Sequence, residues 1–169
     1  ALGPQSSIPY LQSANSGNLI YFAAEDGGSD TTTNGNLWRT DGTFEGTFMI
    51  ESEPGTDLAS GPELLTPFGN NSLVFSAWSP NYGTELWSTD GTAGSTRRLT
   101  DLNIGTADGV AYKADMVVLG QKLLWVGNTD PQASGNRELW EADLNLCDGS
   151  ITNLNRINAG FIMLESLVN

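Results

Sequence analysis

Short apolar runs recur along the chain. Each is opened by a Gly or Asn turn and followed by a second run that carries a tryptophan. The first runs are Leu19-Ile20-Tyr21-Phe22-Ala23-Ala24, Leu73-Val74-Phe75-Ser76-Ala77-Trp78 and Leu123-Leu124-Trp125-Val126. Ser16-Gly17-Asn18, Gly69-Asn70-Asn71 and Gly120-Gln121 introduce them in turn. Aromatic and β-branched residues in runs this short, bounded by turn formers, predict strands.

The second runs align with one another. They read Asn36-Leu37-Trp38-Arg39-Thr40-Asp41-Gly42-Thr43-Phe44-Glu45-Gly46-Thr47 and Glu85-Leu86-Trp87-Ser88-Thr89-Asp90-Gly91-Thr92-Ala93-Gly94-Ser95-Thr96. A decayed third copy runs Glu138-Leu139-Trp140-Glu141-Ala142-Asp143 and resumes at Asp148-Gly149-Ser150. The period of about 50 residues suits a four-stranded antiparallel unit and is too long for most helical solenoid repeats. Asp41-Gly42 and Asp90-Gly91 accept the positive φ angles of a tight turn, and so direct the chain into a third strand at 47–50 and 96–102. A fourth strand is expected at 63–68, 111–119 and 161–168. Pro62 and Pro67 cannot donate to a central ladder and put that strand at an edge.

The predicted fold is therefore all-β, with three propeller-like four-stranded antiparallel blades plus an extra N-terminal strand at 7–12. The expected division is 1–14 for that strand, then 15–68, 69–119 and 120–169 for the blades, within one repeat domain. Trp38, Trp87 and Trp140 are expected between successive units. A buried indole covers roughly 150–250 Å², several kcal/mol at about 25 cal/mol per Å². Propellers usually close with at least about four blades, so three blades and a surplus strand do not close neatly. A second copy completing a six-bladed ring, a longer propeller, docking on a different protein, or a splayed barrel-like arrangement would each resolve the mismatch.

Composition narrows the function classes. The chain has 169 residues, 20 Asp and Glu against 7 Lys and Arg, and a formal net charge of -13. Such a field repels phosphate backbones and anionic lipid, which argues against nucleic-acid partners and electrostatic membrane docking. No apolar run approaches the roughly eighteen residues of a span, and the stretch from Met116 to Val126 is broken by Gly120, Gln121 and Lys122. There is no histidine, which removes the commonest general base and imidazole metal sites. The single cysteine, Cys147, is expected to be a small buried apolar residue, with an intermolecular bridge as the alternative. The start at Ala1 fits a processed N-terminus, and equally an excised fragment.

Catalysis would have to rest on carboxylates such as Asp41, Asp90, Glu45 and Glu85. These recur with the repeat, whereas an active site breaks symmetry, so the chain reads as non-enzymatic. Asp26 and Asp30, in an acidic Gly-rich loop, are candidate calcium ligands, with Asp101, Asp108 and Asp115 as further oxygen donors near the second unit. The spacing matches no EF-hand loop. Trp78 and Tyr82, beside Asn81, could stack on a sugar. Asn70-Asn71-Ser72 fits a glycosylation acceptor. Arg97 and Arg98 either pair with carboxylates of an adjoining unit or mark a contact surface.

The twelve-position words at 36–47 and 85–96 resemble the ELWxxDGT repeat, often described as hyalin-like, with Asn36 in place of the first Glu. The resemblance spans nearly the whole chain from about residue 15. It implies a propeller-like all-β fold in an extracellular or lumenal protein, and no shared catalytic residues. The expected role is a secreted or lumenal module for protein-protein interaction, adhesion or scaffolding. The alternatives are an extrinsic accessory subunit of a large membrane complex, photosynthetic ones included, and a lectin-like carbohydrate-binding module.

Overall fold

The computed structural model describes residues 12–24, 35–50, 60–92, 94–111, 114–129 and 137–157, which form strands and turns with no helix. The strands are β1 (Ser13–Ser16), β2 (Leu19–Ala24), β3 (Asn36–Thr40), β4 (Phe48–Met49), β5 (Ser60–Phe68), β6 (Ser72–Ser79), β7 (Gly83–Thr89), β8 (Arg97–Arg98), β9 (Met116–Leu119), β10 (Lys122–Asn128), β11 (Arg137–Leu144) and β12 (Ile151–Ile157). They build three four-stranded antiparallel meanders: β1-β2-β3-β4, β5-β6-β7-β8 and β9-β10-β11-β12. We call these sheets 1, 2 and 3.

The expected unit boundaries are displaced by one strand. The 63–68 segment, assigned from sequence to the first unit, lies within β5, pairs with β6 and opens sheet 2. Likewise Met116–Leu119 pairs with β10 and opens sheet 3. Ser13–Ser16 pairs with β2, so the first sheet has four strands without any contribution from 60–68. The cause is local. Gly17-Asn18, Gly69-Asn70-Asn71 and Gly120-Gln121 are tight turns, and a tight turn pairs the strand before it with the strand after it. The segments 7–11 and 161–168, expected as strands, lie outside the described residues.

In each sheet the apolar strand and the tryptophan strand are central, and the proline-bearing β5 is an edge. Register shifts at Glu63 and positive φ at Gly61 and Leu64 mark β5 as bulged, a common feature of edge strands.

Two apolar clusters hold the sheets together. The first joins Leu19, Tyr21 and Leu37 of sheet 1 to Leu73, Phe75, Ala77 and Trp87 of sheet 2. The second joins Phe68, Val74 and Leu86 of sheet 2 to Leu123, Trp125 and Ala142 of sheet 3, with Val110 and Ala114 from the intervening segment. Sheet 2 is therefore covered on both faces, which is why β6 and β7 are buried almost throughout.

Polar bonds fix the same junctions. Ser16 Oγ donates to Ser72 O (2.8 Å), and Tyr21 Oη donates to Asn71 O (2.5 Å). Arg97 donates to the Asp148 carbonyl and pairs with its carboxylate at 3.4 Å, so this arginine does reach the adjoining sheet. Arg98 instead pairs locally with Asp101 at 3.4 Å.

Cys147 corrects an expectation, because it is exposed rather than buried. It stands in the turn before Gly149, one position ahead of Asp148, where the first two copies carry Thr40 and Thr89. In the third copy that position lies outside the strand, so its side chain is not packed between sheets.

Candidate functional site

The in-register pairings make positions in the three sheets directly comparable. Phe22 faces Trp38, Phe75 faces Trp87, and Trp125 faces Trp140 across the two central strands. The first and last pairs are stacked, with ring centroids 6.5 and 6.4 Å apart. Because side chains alternate across a strand, each sheet has a tryptophan face and, one residue earlier, a leucine face. Trp87 belongs to the cluster shared with sheet 1, and Trp140 packs against the cluster shared with sheet 2. The tryptophan face thus looks back along the chain, and the leucine face looks forward.

This polarity leaves one face of each kind at the ends of the array. On the backward face, Leu73 and Leu123 are fully buried, while their counterpart Ile20 in sheet 1 is 44% exposed. Phe75 and Trp125 are buried, whereas Phe22 is only half-buried; at the tryptophan position Trp87 is buried, and Trp140 is half-buried like Trp38. On the forward face, Leu37 and Leu86 are buried, and their counterpart Leu139 in sheet 3 is 42% exposed. Ser16 and Phe68 are buried, while Leu119 at the same place is 73% exposed; Val117 beside it is 53% exposed. The exposed members of these series, Ile20, Val117, Leu119 and Leu139, are all apolar.

The turn glycines repeat the pattern independently. A Cβ placed on Gly91 would meet Tyr21 Oη at 2.5 Å, and one on Gly149 would meet Phe68 Cζ at 2.8 Å, each in the preceding sheet; at Gly42 it would meet nothing within 4 Å among the described residues. In the forward direction, a Cβ on Gly17 would overlap Asn71 Oδ1, and one on Gly69 would meet Leu146 O at 2.7 Å; one on Gly120 meets nothing within 4 Å among the described residues. Among the described residues, both series report close approach wherever a neighbouring sheet exists and no neighbour at the two ends.

The aspartates of the repeats are occupied by their turns. Asp41 Oδ1 accepts from Thr43 N (2.9 Å) and Thr43 Oγ1 (2.6 Å), and Asp90 Oδ1 accepts from Thr92 at the same two distances. Asp148 Oδ1 accepts from Ser150 N (2.8 Å) and Ser150 Oγ (2.6 Å), so the decayed third copy keeps the turn. Bonds from the Thr43 and Ser150 hydroxyls and amides hold the Asp41 and Asp148 carboxyls below the usual range. Partial burial works against this at Asp90, but bonds from Thr92 and Ser95 outweigh it and leave that carboxyl lowered too. The indoles of Trp38 and Trp87 donate to Ala24 O (3.1 Å) and Ala77 O (3.2 Å), each on its own sheet.

Glu85 is buried. Its Oε2 accepts from Thr100 Oγ1 (2.5 Å) and its Oε1 from Leu102 N (3.1 Å). Thr100 Oγ1 in turn accepts from Leu86 N (3.0 Å), so the glutamate ties β7 to the segment that follows β8. Burial pushes the Glu85 carboxyl up to about 7, against the bonds from Thr100 and Leu102. Glu138, its counterpart, accepts from Thr129 Oγ1 (2.6 Å) and pairs with Arg156 (2.6 Å).

The remaining sequence candidates are dispersed. Trp78 is exposed on β6. Tyr82, in the following turn, has one ring face covered by the Arg98 guanidinium, 3.5 Å from its centroid. Asp26 and Asp30 lie outside the described residues. Asp108 caps Thr84 N at 2.8 Å and Asp101 holds Arg98. Among the described residues no three acidic or thiol groups gather to hold a metal ion.

Ile20, Val117, Leu119 and Leu139 were not singled out from the sequence. The signal was present: Leu-Ile-Tyr-Phe in the first unit and Leu-Leu-Trp-Val in the third are apolar at consecutive positions, the pattern of a strand covered on both faces. No protein-family model, curated protein or solved structure matches the chain.

Proposed function

We propose that this chain is a non-enzymatic β-repeat module whose work is protein-protein interaction, with its three sheets acting as propeller-like blades and its two end faces as the docking surfaces. One observation carries the reading. Positions buried at both internal junctions, such as Leu37 and Leu86, or Leu73 and Leu123, have apolar and exposed counterparts at the ends in Leu139 and Ile20. Apolar side chains arranged on a sheet for burial, yet left open, favour a protein partner over a small ligand. Three of the four carboxylates considered for chemistry are engaged instead, Asp41 and Asp90 in turns and Glu85 beneath the surface, and Glu45 stands exposed apart from them. The resemblance to a repeat of secreted and surface proteins supports an extracellular or lumenal setting, as part of the same proposal.

Site-specific photocross-linking in native extract tests the reading. A cross-linker at Ile20 or Val117 should yield discrete protein adducts, and one at exposed Glu45 should not. Equal labelling from all three positions, or none from any, refutes it.

A further inference from the structure

We propose that the occupant of the end faces is a second copy of this chain, docked head to tail, so that the tryptophan face of sheet 1 in one copy lies on the leucine face of sheet 3 in the other. The inference rests on the interaction-module reading and adds the partner's identity. Its basis is the pair of junctions already inside the molecule. Each is made by a leucine face meeting a tryptophan face, with a turn glycine from either side closing on its neighbour. The ends present one face of each type in the same register: Ile20, Phe22 and Trp38 repeat the residue classes of the internal tryptophan faces, and Leu139, Val117 and Leu119 form the apolar part of a leucine face that also carries the Lys122, Glu141 and Asp143 ion pairs. They are therefore the two halves of the junction that occurs twice within the chain.

Two such copies related by a twofold axis form two identical end contacts, and six four-stranded sheets fall within the roughly four to eight of known propellers. Ile20 and Trp38 would then take the cover that Leu73 and Trp87 have, and Gly42 and Gly120 would acquire the close neighbours of Gly91 and Gly69. The uncovered side chains that would meet are apolar apart from the Lys122, Glu141 and Asp143 cluster, whose charges pair within sheet 3, while each copy carries a net charge of -13. Association should therefore tighten as salt screens the repulsion, the opposite of a contact built on ion pairs.

The test is the solution mass of the full chain, measured by sedimentation over a wide concentration range and at low and high salt. The expected result is a species of twice 18.0 kDa, favoured by salt. Ile20→Arg and Leu139→Arg, both at half-exposed positions, should each give monomers with the parent's circular dichroism. Should either fail to fold, Ile20→Ser and Leu119→Glu replace them. Mixing the two monomeric variants should restore a dimer, because one wild-type face of each kind remains to form a single contact. A face-to-face arrangement of like surfaces gives no such rescue. A parent that stays monomeric, a ladder of open oligomers, or a mixture that does not recombine overturns the proposal. If the chain is monomeric while Ile20 and Val117 cross-link to a different protein, the docking reading survives and only the second copy falls. Monomers with no adducts end both.

Discussion

Replacing Glu85 by Gln isolates one buried charge, and its effect should change with pH in a direction the structure dictates. The carboxyl titrates at about 7 in the folded chain, against 4.5 for the free side chain. Its folded-state value is raised, so the stability tied to this group is fully present below about pH 4.5 and is lost as pH rises through about 7. At about 1.4 kcal/mol per pH unit the gap amounts to about 3 kcal/mol between pH 4 and pH 8.5. The site accommodates the neutral form, since a proton on Oε2 can be donated to Thr100 Oγ1 while Oε1 keeps the Leu102 amide. The neutral carboxamide of the Glu85→Gln variant reproduces that arrangement at every pH. Urea unfolding of parent and Glu85→Gln should therefore give similar stability near pH 4, and at pH 8.5 the variant should be more stable by about 3 kcal/mol. The lowered carboxyls of Asp41, Asp90 and Asp148 act in the opposite sense, giving stability that is lost as pH falls through their folded values, and they cancel in the difference between the two proteins. A difference that does not change from pH 4 to pH 8.5 would refute the idea that burial governs this carboxylate.

Three further outcomes are expected. Gly69→Ala and Gly120→Ala place a methyl at nearly the same φ, +55 and +62, but only the first meets a backbone oxygen, Leu146 O at 2.7 Å; calorimetry should show it costing about 1–3 kcal/mol more. Trp87→Ala, at a fully buried ring, should lose about 3–5 kcal/mol in urea unfolding, clearly more than Trp38→Ala in dilute solution. Asp90→Ala should lose about 1 kcal/mol with the two Thr92 bonds, and Asp90→Asn less, since its amide oxygen still accepts; equal losses would show that the turn does not depend on the acceptor.

Much of the architecture was legible in the letters because the responsible forces are local. Gly17-Asn18 and Asp41-Gly42 announce turns through backbone sterics, and Leu-Val-Phe beside Leu-Trp announces paired central strands. The third Asp-Gly turn was harder to place, since Asp143 stands where the motif puts its aspartate. The structure assigns the turn to Asp148 and leaves Asp143 on β11, paired with Lys122 at 2.6 Å and bonded by Asn153. Strand allocation failed by one position because the period is indifferent to where a unit begins, and only hydrogen bonding decides whether β5 belongs to the sheet before it or after it. Cys147 was misplaced for a related reason: residue type predicts burial only when the backbone position is known.

An antiparallel β repeat of three units could be read from the residues alone, because turn chemistry and strand pattern act over a few residues. Which face of each strand looks back and which looks forward, and hence which apolar positions end exposed, was set by the packing of whole sheets. That is a property of how sheets stack, set by burial between residues about 50 positions apart. The exposure of Ile20 and Leu139 follows from their place at the ends of the stack rather than from their own identity.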